Sequence, residues 1–268
     1  MNILYINLDA AAARRAWMEN QFSELGIKAH RVSAVTSGNL SEKASGITFG
    51  SDIGRKWFDA EKACLLSHRE CWKRIAEGAD EFGAIFEDDV HLSSDAADFL
   101  TDAAWIPSGL DVVKIETYLQ KVWTDKRRIR VRGRSLHRLK SNHFGSAGYI
   151  LNRDAAAKLL KHSTHVEMPS DHLVFNPAYN FGLRVWQLSE AICIQDDRLN
   201  AKEALFPSQI SSSADRVGIH REKPKSVGKK IIRELSRIYE QARVLAANPI
   251  RPIRMQRTII EYRGDKCS

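Results

Sequence analysis

The 268-residue sequence has no run approaching the roughly 18 consecutive apolar residues that cross a bilayer, so nothing in it reads as a membrane span. Its opening stretch, Met1 to Asp9, has no basic residues ahead of its apolar run and soon meets a carboxylate, so it reads as a first strand rather than a secretory leader. Cys64, Cys71, Cys193 and Cys267 show neither paired CxxC spacing nor the density of a disulfide framework. That pattern excludes a zinc ribbon and fits a reducing cytoplasm. Internal repeats are absent, and so is a glycine-rich phosphate loop of the P-loop kind. Hydrophobic content of 43% and charged content of 28% suit a soluble globular chain of one large domain, or one domain with an appendage.

Acidic residues are also scarce toward the C-terminus. Residues 216–268 hold 14 Lys/Arg against 5 Asp/Glu, a net of +9, while residues 1–215 hold 27 against 28 and come to −1. The chain therefore divides into a near-neutral region, 1–215, and a basic extension, 216–268. A second basic island, Lys121 to Lys140, has nine Lys/Arg against the single Asp125. Such asymmetry fits an acidic partner: nucleic acid, anionic lipid or a phosphorylated glycan. The aromatic stacking clusters of common single-strand readers are missing, so nucleic acid is not expected.

What is present is most informative at Gly83 to His91. A short apolar run reads as a buried strand and stops at Glu87, Asp88 and Asp89. Three adjacent carboxylates repel one another unless a counter-charge sits among them. At the carboxyl end of a strand in an open α/β sheet, where ligands bind, a hard divalent cation that also takes diphosphate oxygens is a natural occupant. A solvated acidic turn is the plain alternative. Strand alternation places Glu87 and Asp89 on one side and Asp88 on the other.

Along the chain, Ile3 to Leu8 reads as a strand, and Ala10 to Leu25 as a helix closed by Gly26. Lys28 to Val35 follows as a strand and residues 36–56 as a long loop. Asp59 can cap a helix running to about Glu77, with Cys64, Leu65, His68, Trp72 and Ile75 on one face. Asp111 to Ile115 and Ser146 to Leu151 read as strands. Asn152 caps a helix to about Lys161, a short helix begins near Met168, and Leu183 to Leu188 and Ala191 to Gln195 look like a closing strand pair. Alternating strands and helices predict an α/β sandwich with a mostly parallel central sheet flanked by helices.

Arg128 to Arg134 alternates arginine with small or apolar residues. If extended, it aligns four guanidinium groups, either to grip phosphates or as a solvated hairpin face. In the extension, Val227, Ile231, Leu235, Ile238, Ala242 and Leu245 recur at helical spacing, with Lys229, Lys230, Arg233, Arg237 and Arg243 at other positions. Such a helix packs on its own domain or lies on an anionic membrane. Pro249 and Pro252 separate it from a final helix expected around Arg254 to Tyr262.

Five segments stand in an order that resembles glycosyltransferase family 25, the bacterial lipopolysaccharide and lipooligosaccharide transferases related to collagen galactosyltransferases. They are Tyr5 to Asp9 followed by Arg14 and Arg15, Lys62 to His68 with Trp72, Ile85 to Asp89, Gly145 to Leu151, and Pro169 to Leu173. The chain departs from the family in placing Ala10 to Ala13 before its arginines and Cys193 where a proline usually precedes the late Gln195.

The resemblance implies a GT-A-like fold and inverting transfer of a hexose from a nucleotide-sugar, such as UDP-galactose or UDP-glucose, to a lipooligosaccharide-type glycan. It implies an Asp-x-Asp-type site for Mn²⁺ or Mg²⁺, with Asp89 as direct ligand, Glu87 as ligand or water-bridged neighbour, and Asp88 toward the ribose. Asn7, Leu8 and Arg15 are implied at the nucleotide, His68 beside the donor pocket, and Gly145 and Ser146 close to the sugar. Asp171 is the implied base, with Glu116 in reserve; Asp196 and Asp197 could complete the metal shell. The expected setting is cytoplasmic, with peripheral contact to the inner membrane face through 216–268. Against this stand two alternatives: a non-catalytic anion or nucleic-acid binder, and another metal-dependent enzyme acting on phosphates.

Overall fold

A computed structural model describes residues 1–50, 57–199, 203–206 and 254–264. Strand β1 (Asn2–Asn7) is buried from Ile3 onward, as a strand covered on both faces must be. Helix α1 (Ala12–Glu24) ends in a Schellman turn: Gly26 takes φ +65°, its N–H meets the Ser23 carbonyl at 3.1 Å, and the Ile27 N–H meets Phe22 at 2.8 Å. Next come β2 (His30–Ser33), α2 (Leu40–Lys43) and β3 (Thr48–Phe49), so the expected long loop holds two short elements; residues 51–56 lie outside the described residues.

Helix α3 (Asp59–Ala76) is capped by Phe58 rather than Asp59, and the Phe58 N–H donates to Glu61 at 3.4 Å. Strands β4 (Phe82–Phe86) and β5 (Val90–Leu92) flank the acidic triplet. Then follow α4 (Ala96–Leu100), β6 (Val112–Lys114), β7 (Glu116–Thr117), β8 (Lys121–Val131) and β9 (Arg134–Leu139). Strand β10 (Gly148–Asn152) leads into α5 (Arg153–His162), where Asn152 accepts the Ala155 N–H at 2.7 Å as the cap the sequence predicts. The remaining elements are β11 (His165–Val166), α6 (Ser170–Phe175), β12 (Val185–Ser189), β13 (Cys193–Gln195), α7 (Asp196–Leu199) and β14 (Met255–Ile259).

Among the described residues, nine strands form one sheet in the order β14-β8-β9-β12-β6-β10-β4-β1-β2. The α/β class and the helix-flanked central sheet are as expected. The pairing is mixed: β1, β2, β4, β6, β8 and β12 run one way, but β9, β10 and β14 run against them, so parallel pairs are confined to β1–β2, β1–β4 and β12–β6. Alternation along β1 splits the core. Leu4 and Ile6 face the layer holding Leu65, Trp72 and Leu159, while Ile3 and Tyr5 face Met18, Phe22 and Phe99. Trp72 is fully buried, and truncating such a residue costs about 3–5 kcal/mol. A Cβ on Gly83 would lie 2.4 Å from Ile75 Cγ1, so glycine is what lets α3 lie this close to β4.

Three expectations change. The closing strands do not pair with each other: β12 joins the large sheet, and β13 joins β5 and β7 in a three-stranded one. The expected last helix is strand β14, antiparallel to β8. Thr258 and Ile259 are β-branched, and pairing satisfies the open edge of β8. Residues 254–264 therefore pack on the sheet built by residues 1–199; the boundary at 215/216 and the predicted basic helix lie outside the described residues. Finally, the arginine ladder breaks. Register shifts between Thr124 and Arg128, Arg132 turns at φ 42° to pair with Asp102, and Arg134 is buried against Asp95, leaving Arg128 and Arg130 exposed.

Candidate active site

Strand β1 has β2 on one side and β4 on the other, and the chain leaves the two strands β1 and β4 in opposite lateral directions. Their carboxyl ends thus form a crevice of the kind where α/β sheets bind ligands. Asn7 ends β1 there, and Glu87 follows β4. Asn7 Nδ2 donates to Asp88 Oδ2 at 2.7 Å. Arg14 Nη1 reaches Asp88 Oδ1 at 2.9 Å and Asp89 Oδ2 at 3.3 Å. From the opposite side, Gln195 Nε2 lies 3.4 Å from Glu87 Oε2 and 3.3 Å from Asp89 Oδ1. The predicted alternation holds: Glu87 and Asp89 converge on Gln195, while Asp88 turns to Asn7. Trp17 and Gln21 pin the following backbone by donating to the Val90 carbonyl at 2.9 and 3.0 Å.

Behind Glu87 runs a buried relay. Trp72 Nε1 donates to the Tyr149 hydroxyl at 2.7 Å, and that hydroxyl lies 3.0 Å from His68 Nδ1. On the other side of the ring, His68 Nε2 lies 3.3 Å from Glu87 Oε1 and 3.1 Å from Ser146 Oγ. Ser146 Oγ adds a 3.0 Å bond to the same oxygen and lies 3.1 Å from Ser170 Oγ. Burial works to raise the Glu87 pKa, but His68, Ser146 and Lys114 outweigh it and hold Glu87 below the ordinary value. Asp89 goes the other way: burial and the neighbouring Glu87 push it up to about 8 despite Arg14.

A second group adjoins the first. Lys114 Nζ, fully buried, bonds Glu116 Oε2 at 2.8 Å and the Gly145 carbonyl at 2.6 Å, 4.1 Å from the centre of the Phe175 ring. Glu116 Oε2 also accepts the Ala147 N–H at 2.9 Å, while Oε1 is buried without a partner. Burial is the main cause that raises the Glu116 pKa to about 7, against the pull of Lys114. Gly145 stands at φ +80°, a conformation that favours glycine, and a Cβ there would lie 2.6 Å from Glu116 Oε1. Its N–H donates to Asp171 Oδ2 at 3.3 Å, while Asp171 Oδ1 accepts from the His172 N–H at 2.8 Å.

The model of glycosyltransferase family 25, described as an LPS biosynthesis protein family, matches residues 1–174. The chain belongs to that family. It is 32% identical over 206 residues to the lacto-N-neotetraose biosynthesis glycosyltransferase LgtB of Neisseria meningitidis, covering 71% of this chain and 73% of that one. It is 31% identical over 192 residues to the lipooligosaccharide biosynthesis protein lex-1 of Haemophilus influenzae, spanning 67% of this chain and 62% of the length of that relative. Among solved structures, a glycosyltransferase involved in glycosylation of the major capsid of PBCV-1 aligns over 72% of this chain and 91% of that one, at 8% identity and TM-score 0.40.

In this family-25 chain, Asn7, His68, Glu87, Asp88, Asp89 and Ser146 join one hydrogen-bonded cluster, and Gly145 and Asp171 border it. Leu8 is half-buried at the mouth of the turn into α1, its carbonyl taking the Ala11 N–H at 2.9 Å. Arg15 does not join: it is exposed and pairs with Glu19 at 2.8 Å. One residue is a 100° turn of a helix, so Arg14, in line with buried Met18 and Phe22, faces the acids instead. That 14, 18, 22 spacing was the signal for Arg14.

Asp196 and Asp197 are engaged by other partners, although the Asp196 N–H donates to the Asp89 carbonyl at 2.8 Å. Asp196 is held by His91 at 2.6 Å and the Phe206 N–H at 2.8 Å, and Asp197 lies 3.3 Å from Arg198. Gln195 and Lys114 were not foreseen as site residues.

The donor set suits a hard divalent cation: carboxylate oxygens of Glu87 and Asp89 converge on Gln195, and hard oxygen donors are what such an ion takes. The same Glu87 also lies with Cys64 and His68 in a group whose ligand atoms are within 4.8 Å of one another, a softer set.

Proposed function

We propose that this family-25 glycosyltransferase has a GT-A-like catalytic unit that moves a hexose, with inversion, from a UDP-sugar to a hydroxyl of a lipooligosaccharide-type glycan. The observation that carries this reading is the convergence of Glu87 and Asp89 on Gln195 at the carboxyl ends of β1 and β4, with Asp88 turned to Asn7 and Arg14 bridging Asp88 and Asp89. The relatives' lipooligosaccharide and lacto-N-neotetraose names support the acceptor class.

Asp89 and Glu87 would hold Mn²⁺ or Mg²⁺, which would supply Lewis-acid stabilisation of charge on the leaving diphosphate. The chain's own residues do the rest. His68 and Ser146 fix the Glu87 carboxylate, Arg14 fixes Asp88 and Asp89, and Asp88 and Asn7 face the nucleoside. Asp171 takes the proton of the attacking hydroxyl, with Glu116 as the alternative base. The enzyme works at the inner membrane face, with residues 216–268 touching anionic lipid; among the described residues no helix is long and apolar enough to cross a membrane.

Calorimetric titration of UDP with and without Mn²⁺ tests the reading. Binding is expected to depend on the metal, to weaken in Arg14→Gln and to persist in Arg15→Gln. Tight binding that ignores both metal and Arg14 would sink it.

A further inference from the structure

Phe144 is 45% exposed and is the one aromatic ring among the large exposed hydrophobics of the described residues. Its burial contributes little to folding, and its position is specific. It directly precedes Gly145, whose N–H holds Asp171. Its ring centre lies 6.3 Å from Tyr118 and 5.9 Å from His172, and His172 lies 6.3 Å from Tyr179. The four rings are thus linked in the order Tyr118, Phe144, His172 and Tyr179, and Asp171 directly precedes His172. Arg198 stacks on Tyr118 at 4.0 Å at one end, and Asn142 Nδ2 sits 3.4 Å from His172 Nε2 farther along.

Polar groups border this row. Glu116 Oε1, fully buried and without a partner, lies beside Gly145, where a side chain would collide with it and crowd Tyr118. A flat apolar face edged by carboxylates matches a pyranose, which has a C–H face and a rim of hydroxyl donors. An acyl chain has no hydroxyl to offer the remaining lone pairs of Asp171, whose two oxygens each take one backbone N–H. Beyond Tyr179 lies a cavity of about 260 Å³ lined by His165, Glu167, Met168 and Leu173 among others, room for the glycan to continue.

Resting on the transferase reading above, we propose that Phe144 is the floor of the acceptor subsite. The terminal pyranose of the acceptor glycan stacks on its ring, presenting the attacking hydroxyl to Asp171, with Tyr118 and His172 bounding the sugar on either side. Phe144 touches the acceptor and no part of the nucleotide.

The test uses the full chain and a delipidated lipooligosaccharide oligosaccharide as probe. Phe144→Ala is expected to raise the acceptor KM about tenfold, the loss of one stacking contact, with UDP affinity unchanged, and Phe144→Tyr to restore it. Saturation-transfer NMR of the oligosaccharide with UDP present reads the subsite without turnover, and its signal should fall in Phe144→Ala alone. An unchanged acceptor KM and NMR signal in Phe144→Ala overturns the subsite while the transferase reading stands. So does an equal loss of UDP affinity, which would put the ring on the donor side. Wild-type protein that binds neither UDP nor oligosaccharide overturns both.

Discussion

The acidic triplet and the arginine-rich hairpin both concentrate like charge, yet the fold treats them oppositely. Glu87, Asp88 and Asp89 lie at an interior strand end, and side chains from four other elements close around them: Asn7, Arg14, His68 and Gln195. Lys121 to Lys140 lies toward the sheet edge, where a bulge and a tight turn point its arginines in different directions. Arg132 goes to Asp102, Arg134 goes inside to Asp95, and Arg128 and Arg130 remain in solvent. Like charges are held together only where a cavity wall supplies counter-charge from several directions. On a twisted edge ribbon they disperse, which is the lower-energy outcome in water.

The largest expected effect breaks the acidic side. Asp89→Asn should lower metal-dependent turnover by about 10²–10³-fold, the size expected for losing a principal electrostatic stabiliser. Because burial and Glu87 push the Asp89 pKa up to about 8, removing that charge should not lower Tm. A folded Asp89→Asn enzyme with near-full turnover would mean the triplet is only an acidic turn.

On the basic side the same logic predicts a stability effect at a single arginine. Arg134, 2% exposed, holds Asp95 and lies 5.3 Å from the Phe99 ring centre. Arg134→Met should cost about 3 kcal/mol in urea unfolding by stranding a half-buried carboxylate. Arg128→Gln and Arg130→Gln should stay within about 0.5 kcal/mol. Equal effects at all three positions would erase the distinction between the buried and the solvated arginine.

The smallest effect is in pH dependence. Glu116 has its folded pKa raised to about 7, above its value of about 4.5 in an unfolded chain, so the native state holds the proton more tightly. Its contribution to stability is full below about pH 4.5 and is lost as pH rises through about 7. Tm measured across that window should fall less steeply in Glu116→Gln than in the wild type, whatever the offset between them. Parallel profiles would show that Lys114 keeps Glu116 charged throughout.

Much of the scaffold was legible. Gly26 and Asn152 mark helix ends because left-handed backbone and an N-terminal oxygen acceptor are local needs. The face of α3 bearing Leu65, His68, Trp72 and Ile75 follows from helical period alone; Glu87 and Asp89 share Gln195 as expected, although the triplet lies in the turn between β4 and β5 rather than in a strand. The illegible parts are those that period alone does not settle. Period sets Arg14 in line with Met18 and Phe22, but only the fold shows that this face of α1 meets the acidic triplet. Met255 to Ile259 is too short to separate helix from strand without its partner β8. Lys114 is a charged residue that the fold buries completely, because Glu116, Gly145 and Phe175 surround it.

By itself, then, the sequence determined the α/β class, the helix ends at Gly26 and Asn152, and the placing of three carboxylates at a strand end. These depend on neighbours within one or two turns of the chain. Tertiary structure alone decided which charges are compensated. Asp88 receives Arg14 from 74 positions away and Asn7 from 81, and Gln195 reaches Glu87 across 108. Coulomb and hydrogen-bond energies depend on distance through space, and only the folded sheet brings those side chains within reach of one another.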